Sequence, residues 1–252
     1  MPENPGMSRR KLIGLGAATI ASTALPDALL NLSKAAAAAA GSTEGIGYFA
    51  RFGVTEKMLR DGLGAALSRG ADYADLFFQH RVSNGLGLED GEVNRASTSV
   101  ELGVGVRAIK GDQTGYAYTE ELTPEALLLA AKTAAAIADG PATPAPKGLK
   151  VGGALPARYP VKTRWEDVRP QQKLPLLSGL NEKVLAADRR IRKVNVSFGD
   201  EAGAILIADS NGRIVEDLQP MTRLYLSCVA EQDGKKETNG YNVAGRADIG
   251  FY

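Results

Sequence analysis

His80 is the single histidine and Cys228 the single cysteine of this 252-residue sequence, and these two counts decide much of the chemistry open to it. A catalytic zinc takes three protein ligands, commonly two of them histidine, held by oriented hydrogen-bond partners. His80 stands in an alternating apolar stretch, far in sequence from any acidic cluster of ligand spacing, and reads as a partly buried structural residue. The same count removes a Ser-His-Asp triad unless His80 alone serves it, and no G-x-S-x-G elbow supports that. Cys228 follows Leu224 and Leu226 on the apolar side of a strand, which predicts a packed thiol and excludes an intrachain disulfide or a Cys-rich metal site. Glu89-Asp90 and Asp209-Ser210-Asn211 carry calcium-type oxygens, but neither runs into a loop closed by glutamate, so turn chemistry is the expectation. Gly103-Val104-Gly105-Val106-Arg107-Ala108 fits the dinucleotide fingerprint G-x-G-x-x-G/A letter for letter. That fingerprint needs its glycines at a strand-to-helix turn. Here they sit inside an alternating run leading to a turn and another strand. Gly103 and Gly105 instead leave one strand face bare, so that another backbone or helix approaches closely.

The elements around these residues follow from periodicity. Thr55 caps a helix with Met58, Leu59, Leu63, Ala66 and Leu67 at helical spacing, ending at Gly70. Alternation then predicts strands from Tyr73 to Val82, from Val100 to Ile109 and from Gln113 to Thr119, with Asp90-Gly91 as a tight hairpin turn. Thr123-Pro124-Glu125 opens a second helix with a cap, a proline at the first helical position and an early acid. Residues 141–169 read as a Pro/Gly-rich linker in which Trp165 is the anchor. A third helix ends near Arg190, with Pro175 setting its first turn or a kink. Strands from Lys193 to Phe198, Ala204 to Ala208, Arg213 to Asp217 and Thr222 to Ala230 follow. The class is α+β, antiparallel β-meanders packed with helices. A helix followed by four strands occurs twice, which reads as a duplicated unit over 41–140 and 170–252.

Residues 1–40 have a different character. Ser8-Arg9-Arg10-Lys11 precedes an uncharged Ala-, Leu- and Gly-rich stretch from Leu12 to Leu25, and Ala38-Ala39-Ala40 offers a cleavage site. Paired arginines before a mild apolar region predict a twin-arginine signal peptide, hence a periplasmic or extracellular destination with the protein folded before export. Pro26 and Asp27 interrupt the stretch before it reaches membrane-spanning length. Loss of this segment leaves 26 basic against 27 acidic residues. A near-neutral chain with interspersed charges excludes nucleic acid as the expected partner.

The run Asp72-Tyr73-Ala74-Asp75-Leu76-Phe77-Phe78-Gln79, then Leu88-Glu89-Asp90, then Gly103 to Ile109 with Gly115-Tyr116-Ala117-Tyr118, resembles the N-terminal domain of the TldD/PmbA peptidase family, its TldD branch in particular. The likeness continues through Asp209 to Val215, Pro220 to Leu226 and Asp233-Gly234-Lys235. The resemblance implies a zinc-dependent peptidase working as a paired assembly that admits unfolded peptide to an enclosed chamber. It places the zinc on an H-E-x-x-x-H helix of the C-terminal domain, beyond Gly250-Phe251-Tyr252. No catalytic or metal-ligating position is therefore carried over to this chain. Its expected share is chamber wall and subunit contacts, and the strand with Gly103, Gly105 and Arg107 is the candidate for peptide approach, since an extended peptide adds to a sheet through main-chain hydrogen bonds.

Two readings follow from this. The chain is the front portion of an exported TldD-type zinc metallopeptidase, inactive alone, or it is a complete non-catalytic subunit of the same fold that binds peptide or pairs with an active partner, as a homo- or hetero-oligomer. An extracytoplasmic small-molecule binder is a third class, which would call for a pocket of convergent polar groups.

Overall fold

The computed structural model describes residues 46–138, 140–151 and 158–252. The signal segment with Ser8, Arg9 and Arg10 lies outside the described residues.

A 3-10 turn, Gly47–Phe52, leads into helix α1, Glu56–Ala66, which starts where predicted: Thr55 Oγ1 accepts from the Met58 N–H at 3.2 Å. Strand β1, Tyr73–Glu89, and strand β2, Glu92–Lys110, follow as one long hairpin, and strand β3, Gln113–Thr119, folds back on β2. Asp90 and Gly91 have φ of 51° and 86°, the left-handed pair that a primed two-residue turn demands. Helix α2, Pro124–Ala135, is capped by Thr123 Oγ1. The short strand β4, Lys150–Val151, and a 3-10 turn at Trp165–Asp167 precede helix α3, Pro170–Ala187. Three long strands complete the chain: β5, Ile191–Asp209; β6, Arg213–Gln232; and β7, Lys235–Gly245.

The seven strands among the described residues form one sheet in the order β3-β2-β1-β5-β6, with β4 parallel and β7 antiparallel to β6 on its far side. The two meanders meet at β1 and β5, which pair antiparallel over fifteen residue pairs from Asp75↔Asp209 to Glu89↔Asn195. The repeat predicted from sequence is present as helix plus three strands, α1-β1-β2-β3 and α3-β5-β6-β7, not helix plus four. Stretches that read as separate strands in the sequence are single ones, because Gly85 and Gly87 stay in the ladder and Gly85 pairs directly with Gly199. The segment read as a linker is partly fastened down: Thr143 donates from N and Oγ1 to the carbonyls of Leu67 and Ala71.

Even-numbered residues of β1, β2, β5 and β6 share the face that carries the helices. At one end Leu76, Phe78, Val104, Val106, Leu206 and Ala208 are buried under α1, α2 and Phe49. At the other end Leu86, Leu88, Val196, Phe198 and Leu224 are buried under α3 and Trp165. Trp165 is the expected anchor, its indole N–H donating to the Ala247 carbonyl at 2.8 Å. Cys228 is half-buried at the edge of this second core, as its spacing predicted. No helix among the described residues packs on the odd-numbered face.

Candidate functional site

The bare face of the sheet carries a groove of about 600 Å³ over β1, β2 and β3, lined by Phe77, Gln79, Glu101, Gly103, Gly105, Tyr116, Tyr118 and Glu120. Its position is a consequence of register. The two-residue turn at Gly111-Asp112 sets Gly105 opposite Tyr118 and Arg107 opposite Tyr116, and β1 sets Phe77 beside Gly105. Three aromatic rings therefore surround a strand that has no side chain at two alternate positions. Tyr116 and Tyr118 are 63% and 72% exposed, an unusual placement for rings unless something covers them. Nearby, Arg107 donates from Nε and Nη2 to Asp75 Oδ2, which holds the Asp75 carboxylate and raises the guanidinium pKa.

The predicted peptide-approach residues Gly103, Gly105 and Arg107 turn their N–H and C=O groups toward β1, opposite Gln79, Phe77 and Asp75, and beside Gly105 and Arg107 the other edge of β2 is covered by β3. Main-chain addition at all three is closed. A side chain at Gly105 would meet the Tyr116 phenol, and one at Gly103 would meet the Thr119 carbonyl oxygen. What these positions leave open is the groove face above them; among the described residues the outer edge of β2 has no partner strand before Val104. The fingerprint-like glycines thus lie inside a strand, away from any helix N-terminus.

A polar cluster lies on the opposite face, between the two cores. Tyr48 Oη is 2.7 Å from His80 Nδ1 and donates to Glu166 Oε1 at 3.0 Å. With its own proton committed to Glu166, the phenol oxygen accepts from His80, so Nδ1 carries the imidazole proton. The Arg51 guanidinium stacks 3.9 Å from the Tyr48 ring centroid, and the Phe52 ring lies 4.9 Å from that of His80. Burial, reinforced by Glu166, pushes the Tyr48 pKa up to about 12. Burial lowers the pKa of His80 against the opposing pull of Glu166. Glu216 Oε2 accepts from the Tyr48 N–H at 3.3 Å, and burial raises its carboxyl pKa against that hydrogen bond. The cavity beside Tyr48 and Glu166 is about 40 Å³, room for a water and not for a substrate. This cluster fastens the lead-in segment across the middle of the sheet, and His80 is half-buried in it, hydrogen-bonded to Tyr48.

A second buried polar group could not be foreseen. Lys173 of α3 reaches Asp200 of β5 at 2.5 Å, and Asn84 and Thr98 extend the chain of hydrogen bonds at 2.9 Å each. The acidic turns are turns: Asp209 accepts from the Asn211 and Arg213 N–H groups, and Asp90 Oδ1 from the Val194 N–H. Among the described residues no three His, Cys, Asp or Glu side chains converge as a metal ion requires. The zinc implied by the resemblance has no ligand set there, and no step through it is derived for these residues. No helix among the described residues is long and apolar enough to cross a membrane.

Comparison with known proteins agrees with this architecture. Residues 74–138 match the model of PmbA/TldA metallopeptidase domain 1, and residues 163–251 match that of the PmbA/TldA metallopeptidase central domain. A metalloprotease TldD homolog from Haemophilus influenzae is 31% identical over 186 residues, covering 73% of this chain and 38% of the relative. A second, from Buchnera aphidicola, is 29% identical over 185 residues with the same coverage. The chain thus spans well under half the length of the curated relatives it matches. Among solved structures, TldE from Thermococcus kodakarensis superposes with a TM-score of 0.55 at 20% identity, covering 76% of this chain and 42% of that one. A protein from Bacteroides thetaiotaomicron with the provisional name modulator of DNA gyrase gives 0.61 at 18%, covering 76% and 45%. These two show a shared fold. With two consecutive domains of one family matched in order over more than half its length, the chain belongs to the PmbA/TldD metallopeptidase family.

Proposed function

We propose that this chain is the N-terminal, substrate-chamber and subunit-contact portion of an exported TldD-type zinc metallopeptidase that hydrolyses unfolded peptides. The observation that carries the reading is the ordered match to the first and central domains, within a chain spanning only 38% of the length of its curated relatives. The zinc and its ligands belong to sequence beyond these domains. The residues present supply surface: the aromatic groove floored by Gly103 and Gly105 receives extended peptide, and the sheet edges serve a TldD/PmbA-type partner. Exposed rings beside two bare strand positions offer contact area to an extended chain whatever its side chains, which suits substrates chosen by extension and not by sequence. Ser8, Arg9 and Arg10 direct the protein through the twin-arginine pathway to the periplasm or beyond, a route open to cargo that is already folded.

Two measurements test the reading. Translation of the DNA downstream of Tyr252 should reveal an in-frame H-E-x-x-x-H; an immediate stop codon would sink the enzyme reading in favour of a non-catalytic subunit of the same fold. The purified chain should show no chelator-sensitive peptidase activity, whereas strong activity abolished by chelation would overturn the placement of the zinc site.

A further inference from the structure

We infer that the unpaired edge of β2 is a self-association surface, joining two copies of this chain edge to edge about a two-fold axis at Thr98. Strand β3 covers β2 only from Val104 to Lys110, so the preceding edge has no partner strand among the described residues. From Asp90 to Glu101 every residue is exposed, including Val93 at 50% and Val100 at 62%. A long open edge without proline or lysine is a template for a further strand, and folded proteins blunt or cover such edges.

The register of that further strand can be read from hydrogen-bond phase and charge. The two-residue turn closes the β2–β3 hairpin at Lys110↔Gln113, so even-numbered residues of β2 present their N–H and C=O groups on the β3 side. Beyond the end of β3 the same groups of Leu102, Val100, Thr98 and Ala96 face outward unpaired. A second β2, antiparallel and two-fold related at Thr98, meets them in phase. Thr98 then pairs with the partner's Thr98, Ala96 with the partner's Val100, and Ser97 with the partner's Ser99. Arg95 falls opposite the partner's Glu101, and Glu101 opposite the partner's Arg95. Both residues lie on the helix-free face, so each pair stands side by side, in the non-hydrogen-bonded positions where side chains are closest.

Arg95 has no ion pair among the described residues, and Glu101 is held only by Gln79 at 3.1 Å and Arg81 at 4.0 Å. On the other face, the partner's Val100 covers Ala96 at the mouth of a cavity of about 230 Å³ lined by Leu86, Thr98 and Val168. About six main-chain hydrogen bonds form across the axis. The bulge where Gly87 and Leu88 face Arg95 and Val93 ends the register-true segment and adds local twist, which turns each hairpin tip aside from the neighbouring β3. Such an interface is isologous: one self-complementary patch used twice. The inference rests on the subunit-contact part of the proposed function, for which it names the edge and the partner, and its outcome leaves the downstream zinc-motif test untouched.

Sedimentation equilibrium of the full chain tests it. The chain should form a dimer whose dissociation constant rises at least about tenfold in Arg95→Glu and in Glu101→Arg, since each variant opposes like charges twice. An equimolar mixture of the two variants should recover dimers, because every facing pair across a mixed dimer is again Glu with Arg. The double variant R95E/E101R should self-associate like the parent, which also shows that loss in the single variants is not misfolding. A chain monomeric at every concentration, a dimer indifferent to both variants, or a mixture that fails to recover would each overturn the inference.

Discussion

Lys173 Nζ and Asp200 Oδ2 are joined at 2.5 Å inside the second core, with 3% and 1% of their side chains exposed. The pair links α3 to β5 where Trp165 and Phe198 supply the surrounding rings, 5.7 and 5.9 Å from the ammonium. Removing one partner leaves the other charge buried and unpaired. Lys173→Met should therefore cost about 3–5 kcal/mol, while replacing both by apolar residues of similar volume should cost much less. Urea unfolding of the single variants and of K173M/D200L, followed through the sole tryptophan Trp165, checks this as a double-mutant cycle. A single variant as stable as the parent would contradict it.

The cluster at His80 predicts a pH dependence with a definite sign. Burial lowers the folded-state pKa of His80 below its unfolded value of about 6.5. The unfolded chain then binds the proton more readily, so this contribution to stability is complete above that pH and is lost as pH falls through the folded pKa. Calorimetric Tm should drop between pH 7.5 and 5, and His80→Asn should flatten the slope. Glu216 works in the opposite sense. Its raised folded pKa gives stability that is complete below its unfolded value near 4.5 and lost as pH rises through the folded pKa, so Glu216→Gln should remove that loss.

Gly115 is where β3 packs directly on α2. A β-carbon there would run into the Ala134 carbonyl oxygen and the Ile137 side chain. Gly115→Ala should destabilise by about 1–3 kcal/mol through forced separation of strand and helix. The test is the denaturant midpoint of the variant, and an unchanged midpoint would refute the close approach.

The groove makes a separate prediction. On the proposed peptidase function, Tyr116→Ser with Tyr118→Ser in the full-length enzyme should raise KM for an unfolded peptide about fivefold or more and leave kcat near the parent value, because rings that bind by contact area act before the chemical step. A fall in kcat with KM unchanged would place these rings elsewhere in the reaction.

Local chemistry made much of the fold legible. Thr55 and Thr123 marked both helix starts, and Asp90-Gly91 marked the first hairpin. Asp233-Gly234, φ 52° and 75°, carries the same signal, but Lys235–Gly245 has no apolar alternation to mark a strand after it; every residue of β7 from Lys235 to Asn242 is exposed, so no buried face wrote itself into the sequence. The groove was within reach, since the two-residue turn at Gly111-Asp112 alone places Tyr118 beside Gly105. Tyr48, His80 and Glu166 were not. They are 32 and 118 residues apart in sequence, and Lys173–Asp200 joins a helix to a strand, so neither group has a local spacing from which to be read.

The seam between β1 and β5 has a mechanical meaning. It falls between the regions matched by the two domain models, where a multidomain chain would ordinarily have its hinge. Here fifteen residue pairs of continuous ladder cross that boundary, and bending it would break main-chain bonds along the full length of two strands. The first and central domains therefore move as one plate. Relative motion is left to the rim of this plate, against whatever it meets there.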